Sequence, residues 1–283
     1  MSDLSTAAPD IRLGTEAAAA KSAPRLPRLS YVTWVSIATF LALIALWWLA
    51  AHFEVVSPIF LPPPEAVLAK LVSVWLTGFE GATLPQHLVA SLARVLAALA
   101  AASVIGIALG FAISLNETAR GMFEPVIEFY RPIPPLAYLP LIVIWCGIGE
   151  LSKVLLIYLA IFAPIAIATA TGVRTVDPAK LRAAQSLGAT RAQLIRHVIL
   201  PSALPDILTG VRIGLGVGWS TLVAAELIAA TSGLGFMVQS AAQFLVTDVV
   251  VLGILVIALI AFAMEMGLRA LQRKLVPWHG QAH

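Results

Sequence analysis

Six long apolar runs, separated by short polar stretches, set the first limit on what this chain can fold into. They lie at about 33–51, 93–115, 134–149, 153–173, 207–229 and 249–268 of 283 residues. A bilayer span needs roughly 20 mostly apolar residues, and its backbone must satisfy its own hydrogen bonds because no water is at hand. Charged side chains make up 12% of the chain, against about 25% in soluble domains, and mean hydropathy is +0.93. The expectation is an all-α polytopic membrane protein with six transmembrane helices. The third run is short and is interrupted by Pro132, Pro134 and Pro135, which remove backbone donors and disfavour helical geometry before them.

Lysine and arginine give these spans a direction. Placing both termini in the cytoplasm puts Arg12, Lys21, Arg25, Arg28, Arg120, Arg174, Lys180, Arg182, Arg191, Arg196, Arg269, Arg273 and Lys274 on that side. The opposite side then keeps Lys70 and Lys153, with Arg94 near a helix end. Residues 1–30 are rich in Ala, Ser, Pro and Arg without apolar periodicity, and are expected to be a disordered cytoplasmic terminus. Residues 31–275 form the membrane domain and 276–283 a cytoplasmic tail. The first span lacks a small-residue cleavage site and is expected to stay as an anchor. Pro58, Pro62, Pro63 and Pro64 mark an extended outer linker, and 65–76 is expected to be a short amphipathic helix at the interface. A single cysteine, Cys146, excludes an intrachain disulfide, and no internal repeat is present.

Between the fourth and fifth runs lies a charged island, TVDPAKLRAAQSLGATRAQLIRHVILP, at 175–201. Asp177 is a good N-cap and Pro178 follows at the first helical position, where a missing N–H costs nothing. Residues 178–187 are expected to be a short helix closed by Gly188 in the left-handed conformation. Thr190 with Gln193 makes a capping box that opens a second helix, which Pro201 is expected to stop or kink. The product is a stiff helix–Gly–helix knob facing water.

Within the apolar runs, small residues recur every four positions: Ala98, Ala102, Gly106 and Gly110 in the second, Gly210, Gly214 and Gly218 in the fifth. Such rows allow close helix approach. Intrachain packing is expected for the second row; for the fifth, intrachain packing and a self-association or pathway wall stand equal. Glu128 and Arg131, three apart, could pair beside the Pro-broken PIPP, where an anion would find a cation and unpaired amides. The alternative is a cytoplasmic elbow whose charges reach back to water. Ser220, Thr221 and Glu226 sit in the outer half of the fifth run, as pathway or as paired structural groups. Glu265 and Arg269 are spaced for an ion pair.

Enzyme signatures are missing. No GxxxxGK[ST] loop exists to bind ATP, the GVGWSTL run lacks the final Gly of a nucleophile elbow, and His52, His87, His197, His279 and His283 have no metal spacing. The chain is therefore expected to carry no catalytic residues, cofactor or metal.

The island resembles the EAA loop of inner-membrane permeases of binding-protein-dependent ABC importers. Ala183 and Ala184 match the alanines of that pattern, Gly188 its glycine, and Leu200–Pro201 its ending. Arg182 stands in place of the family's Glu and Val198 in place of Ile. From about Leu46 to Trp278 the chain is similar to the branch serving nitrate, aliphatic sulfonates and taurine, its taurine members above all. SPIFLPPP, YRPIPPLAYLPLIVIWCGIGE and RIGLGVGWSTLVAAELIAATSGLGFMVQSA carry that likeness. The resemblance implies the type I importer permease fold, a permease homodimer in the bacterial inner membrane, two cytoplasmic ATPase subunits that bind the ATP, and a periplasmic solute-binding protein. It implies coupling through Lys180, Leu181, Arg182, Ala183, Ala184, Leu187, Gly188, Leu200 and Pro201, with the fifth span lining the dimer seam. Taurine or a related sulfonate is the implied substrate, with nitrate, bicarbonate and alkanesulfonates as alternatives. Two other readings are a stand-alone secondary carrier, disfavoured by the absent repeats, and a membrane-tethered nucleic-acid reader, disfavoured by the knob's short, enclosed helices.

Overall fold

The computed structural model describes residues 31–278, so the expectations for 1–30, for His279 and His283, and for the end of the tail lie outside the described residues. The chain divides into two units, residues up to Trp47 and residues from Trp48 onward. Helix α1 (Tyr31–His52) begins in the first. There the Ser36 and Thr39 hydroxyls each donate to the carbonyl four residues back at 2.9 Å, which satisfies them within the helix.

The second unit continues through α2 (Pro64–Leu76), α3 (Leu84–Leu115), α4 (Glu117–Tyr130), α5 (Pro135–Cys146) and α6 (Glu150–Arg174). It then runs through α7 (Pro178–Ser186), α8 (Arg191–Leu194), α9 (Leu200–Ala229), α10 (Leu234–Gln243) and α11 (Thr247–Leu275). Among the described residues, five helical stretches are long and apolar enough to cross a membrane, or six if the bent pair α4 and α5 counts as one. The helices run between two ends: a knob end carrying α7, and a far end carrying the α5–α6 and α9–α10 turns.

Helix α6 is the centre of this unit. Ile157, Ile161 and Ile165 are fully buried, packed against Val95, Ala98 and Ala102 of α3 and Leu215, Trp219 and Leu222 of α9, while the fully buried Leu156 packs with Leu139 and Ile142 of α5 and Ala225 of α9. Small residues permit the approach on both sides. A Cβ at Gly110 would fall 2.5 Å from Thr169 Cβ and 2.7 Å from the Ala166 carbonyl. One at Gly210 would fall 2.5 Å from Ala168 Cβ, and one at Gly218 2.6 Å from Ile161 Cδ1. Gly214 meets Ile161 in the same way. The row Gly210, Gly214, Gly218 is thus an intrachain groove for α6, which settles the choice left open by the sequence for that face.

Three expectations need correction. The third span is not a straight helix over 134–149: α4 and α5 meet at 107°, and α5 has 12 residues. At 1.5 Å per residue α5 is about 18 Å long, well short of a hydrocarbon core of about 30 Å. Pro134, extended at φ −58° and ψ 133°, holds the bend, and Pro135 restarts the helix where its missing N–H costs nothing. Second, Pro201 does not stop the helix: the span continues through it. A π turn, Ile195–Ile199, precedes it, with the Leu200 N–H reaching back to the Ile195 carbonyl, and Arg191–Ile228 forms one candidate span. The widened turn is where a proline's missing donor is absorbed, as π-bulges do inside longer helices. Third, the helix expected over 178–187 ends at Ser186.

Candidate coupling surface and translocation cleft

The knob is built locally. Asp177 accepts a hydrogen bond from the Ala179 N–H at 2.8 Å, capping α7. Gly188 has φ +82°, a left-handed conformation that costs a Cβ-bearing residue, and its N–H donates to the Gln185 carbonyl at 2.9 Å. The Gln193 side chain accepts from the Thr190 N–H at 2.8 Å, and the Thr190 hydroxyl accepts from the Gln193 N–H at 3.4 Å, which completes the capping box. Several knob side chains reach the bundle, Val176 and Ile199 among them. Leu181 packs on the buried cluster Val173, Val176, Ile199, Ala203 and Ile207. Its neighbours face outward: Lys180, Arg182, Ala183 and Gly188 are exposed, Ala184 is half-buried, and Leu187 is 88% exposed. Leu200 is on the border of exposure and Pro201 half-buried, at the base rather than on the outer surface. The Arg174 guanidinium grips both oxygens of Glu124 at 2.7 and 3.0 Å, pinning α4 beside the knob.

The path candidates do not form one group. Arg131 lines a cleft of about 220 Å³ with Tyr130, Ile133, Pro135 and Tyr138 of the elbow, Leu159, Ala160, Ala163 and Pro164 of α6, and Ile213 and Val217 of α9. It is an apolar cleft with one cation and two phenols. Glu128 is elsewhere, in a smaller cleft with Glu124 and Arg174, and among the described residues no ion pair joins it to Arg131. Ser220 is exposed one turn beyond Val217, to whose carbonyl its hydroxyl donates at 2.8 Å. Thr221 is buried and bonds the same carbonyl at 2.9 Å.

Glu226 belongs to a network at the far end that is buried around the carboxylate and opens outward at Glu150. The Glu226 side chain is 0% exposed and meets Arg94 Nη1 at 2.6 Å. Ser91 Oγ donates to Glu226 Oε1 at 2.8 Å and the Gly235 N–H to Oε2 at 2.7 Å. Arg94 also donates to the Ser232 carbonyl at 2.8 Å and forks onto both oxygens of Glu150 at 2.6 and 2.8 Å. Glu150 takes Lys153 Nζ as well, at 2.8 Å. The Gly233 N–H donates to His87 Nδ1 at 3.0 Å, which fixes that nitrogen as the acceptor and leaves Nε2–H to donate to the Phe79 carbonyl at 3.1 Å. Gly233 has φ +135°, and the Glu226 carboxylate occupies the space a side chain there would need. The network locks the α9–α10 turn onto α3 and α6. At the knob end, Glu265 pairs with Arg269 at 2.9 Å as its spacing implies, and also with Arg212 at 2.6 Å.

Sequence reasoning passed over Arg94 and Arg212. The available signal was charge sign: lone ions of opposite sign on different spans, brought to one level by chain direction, are expected to meet.

Residues 102–277 match the family described as binding-protein-dependent transport system inner membrane component. The chain belongs to this family. Over 254 residues, 89% of this chain and 92% of the relative, the permease is 63% identical to the taurine transport system permease protein of Escherichia coli (strain K12). It is 30% identical over 222 residues, 77% of this chain and 81% of the relative, to the nitrate import permease protein of Synechocystis sp.. Its fold is shared with an inward-facing methionine ABC transporter structure, at TM-score 0.54 and 21% identity over 66% of this chain and 95% of that one. The permease is thus a multi-pass membrane subunit of an ABC importer and not an enzyme. Such a subunit works with an ATPase and a solute-binding protein.

Proposed function

We propose that this permease forms the inner-membrane pathway of a taurine importer, or of one for a closely related sulfonate, as a homodimer with cytoplasmic N and C termini. The observation that carries the substrate is the 63% identity to a taurine permease across nine-tenths of the chain. In this reading the domain layout is a cytoplasmic terminus over 1–30, a membrane domain over 31–275 and a cytoplasmic tail over 276–283. The knob, 175–201, seats on the ATPase through Lys180, Arg182, Ala183, Ala184, Leu187 and Gly188. Leu181 anchors it to the bundle, while Leu200 and Pro201 pass the movement into α9. ATPase closure moves the knob, and the two-state bundle follows because a partner that binds one state better shifts the population toward it.

Arg131 is the pathway cation, because a guanidinium fork matches a sulfonate's oxygens and its cleft opens beside α9. Ser220 continues that face beyond Val217. With the glycine row facing α6, the dimer seam falls to the other side of α9, where Ile213 is 56% exposed and Gly216 has open space beside it. Glu226 and Thr221 hold the frame, and Glu128 belongs to the knob-end surface.

A second reading, import of another small anion such as nitrate, draws on the nitrate permease relative. Reconstitution in liposomes separates the two. The permease, its ATPase and its solute-binding protein should together drive ATP-dependent uptake of labelled taurine, with alkanesulfonates competing and nitrate not. Uptake outcompeted by nitrate would move the assignment to the second reading. Uptake by the permease alone under an ion gradient would overturn both.

A further inference from the structure

At the knob end, beyond the residues given to coupling, α9 and α11 leave an open cleft of about 380 Å³ lined by Arg212, Arg269, Gln272, Arg273 and Val276. Three guanidiniums converge there, and no carboxylate among the described residues lines it. The nearest acid is Glu265, which takes Arg212 Nε and Nη2 at 3.0 and 2.6 Å and Arg269 Nε at 2.9 Å, all through one oxygen. Arg212 Nη1 adds a long bond to Gln272 Oε1 at 3.3 Å. Among the described residues, neither Nη group of Arg269 has a partner. Among the described residues Arg273 makes no hydrogen bond or ion pair, so its full fork is free.

This arrangement is unfavourable when empty. Arg269 and Arg273 are four apart on one face of α11, where like charges repel, and a single carboxylate shared by two of three arginines leaves a net charge of about +2. The cleft also lies at the end of an apolar span. Arg269 and Arg273 occupy the last two turns of α11, and Trp278, 50% exposed, follows as the helix ends. Basic pockets between helices at a membrane surface, edged by an interfacial tryptophan, suit a phosphate-bearing headgroup. Guanidinium forks match the tetrahedral oxygens of a phosphate in particular.

We propose that this cleft is a binding site for a phosphate oxyanion, held by Arg269 and Arg273 with Arg212 behind them. The oxyanion has two possible sources, the headgroup of an anionic phospholipid and inorganic phosphate from solution. The test uses the permease purified with its ATPase. In the first arm, native mass spectrometry follows retention of phosphatidylglycerol against phosphatidylcholine. In the second, thermal unfolding in phosphatidylcholine nanodiscs is followed with inorganic phosphate against chloride at equal ionic strength. The expected result is a preference in at least one arm that weakens about fivefold for each arginine removed in Arg273→Gln and in the pair Arg269→Gln with Arg273→Gln. Lys274→Gln, which changes a neighbouring charge outside the lining, should leave it nearly unchanged. A response in the lipid arm alone identifies the headgroup, and one in the phosphate arm alone identifies the soluble anion. No preference in either arm, or one that Arg273→Gln leaves intact, overturns the site. Arg273 is exposed and unpaired among the described residues, so its single variant folds even if the double variant does not.

Discussion

The two ends of the bundle are built on opposite principles. At the far end, Arg94 and Glu226 lie 132 residues apart in sequence and meet in full burial, with Ser91, the Ser232 carbonyl and the Gly235 N–H bonding the pair and the more exposed Glu150 taking the rest of the Arg94 fork. At the knob end, Asp177, Gly188, Thr190 and Gln193 act within a few residues of one another, and the surface they hold up is mostly exposed. The far end is braced by long-range ionic contacts that tolerate no loss. The knob is a locally capped structure whose outer face is exposed and whose inner side chains, Leu181 among them, rest on the bundle, which suits a part that a partner grips and moves.

The strongest way to break this contrast is Arg94→Met. Leaving Glu226 buried without its partner should cost about 3–5 kcal/mol. Thermal unfolding of the purified permease reads it. Pairing Arg94→Met with Glu226→Met should recover much of the loss, since a buried ion pair replaced by apolar groups is often near neutral. A double variant as unstable as the single would mean that the network stabilises through something other than charge pairing. Gly188→Pro should come next: it removes the N–H that closes the turn and forbids φ +82°, so ATP-driven uptake should vanish while insertion and bundle unfolding stay as in the parent. A fall in bundle stability there would show the knob to be part of the frame. Thr190→Ala is the mildest probe. Loss of the cap should cost the knob about 1 kcal/mol, read as faster amide exchange over 189–195 with a partial loss of uptake.

What the sequence made legible follows the same division. The knob's caps depend on residues two to five apart, so Asp177, Pro178, Gly188, Thr190 and Gln193 announced them, and the structure contains each one. The apolar runs located the spans for a similarly local reason, since length and composition alone set them. The 107° bend between α4 and α5 was not legible: PIPP marks a break, but its angle depends on what α4 and α5 pack against. The fate of Pro201 was missed because a π turn leaves no compositional trace. The glycine row on α9 identified a close contact without naming its partner, because α3, α6 and a second copy all offer small-residue faces. For Arg94 with Glu226, and Arg212 with Glu265, charge sign was the one signal, and the register between distant spans that would have paired them is not written locally.

The central claim is that the knob end alone meets the ATPase while the far end stays braced and apart from it. Photocrosslinking in native membranes tests it directly, with the reactive group placed at Leu187 on the knob and, in a matched sample, at Leu151 on the far end, both exposed. A crosslink to the ATPase subunit from Leu187 and none from Leu151 is the predicted result. A crosslink from Leu151, or none from Leu187, would contradict it.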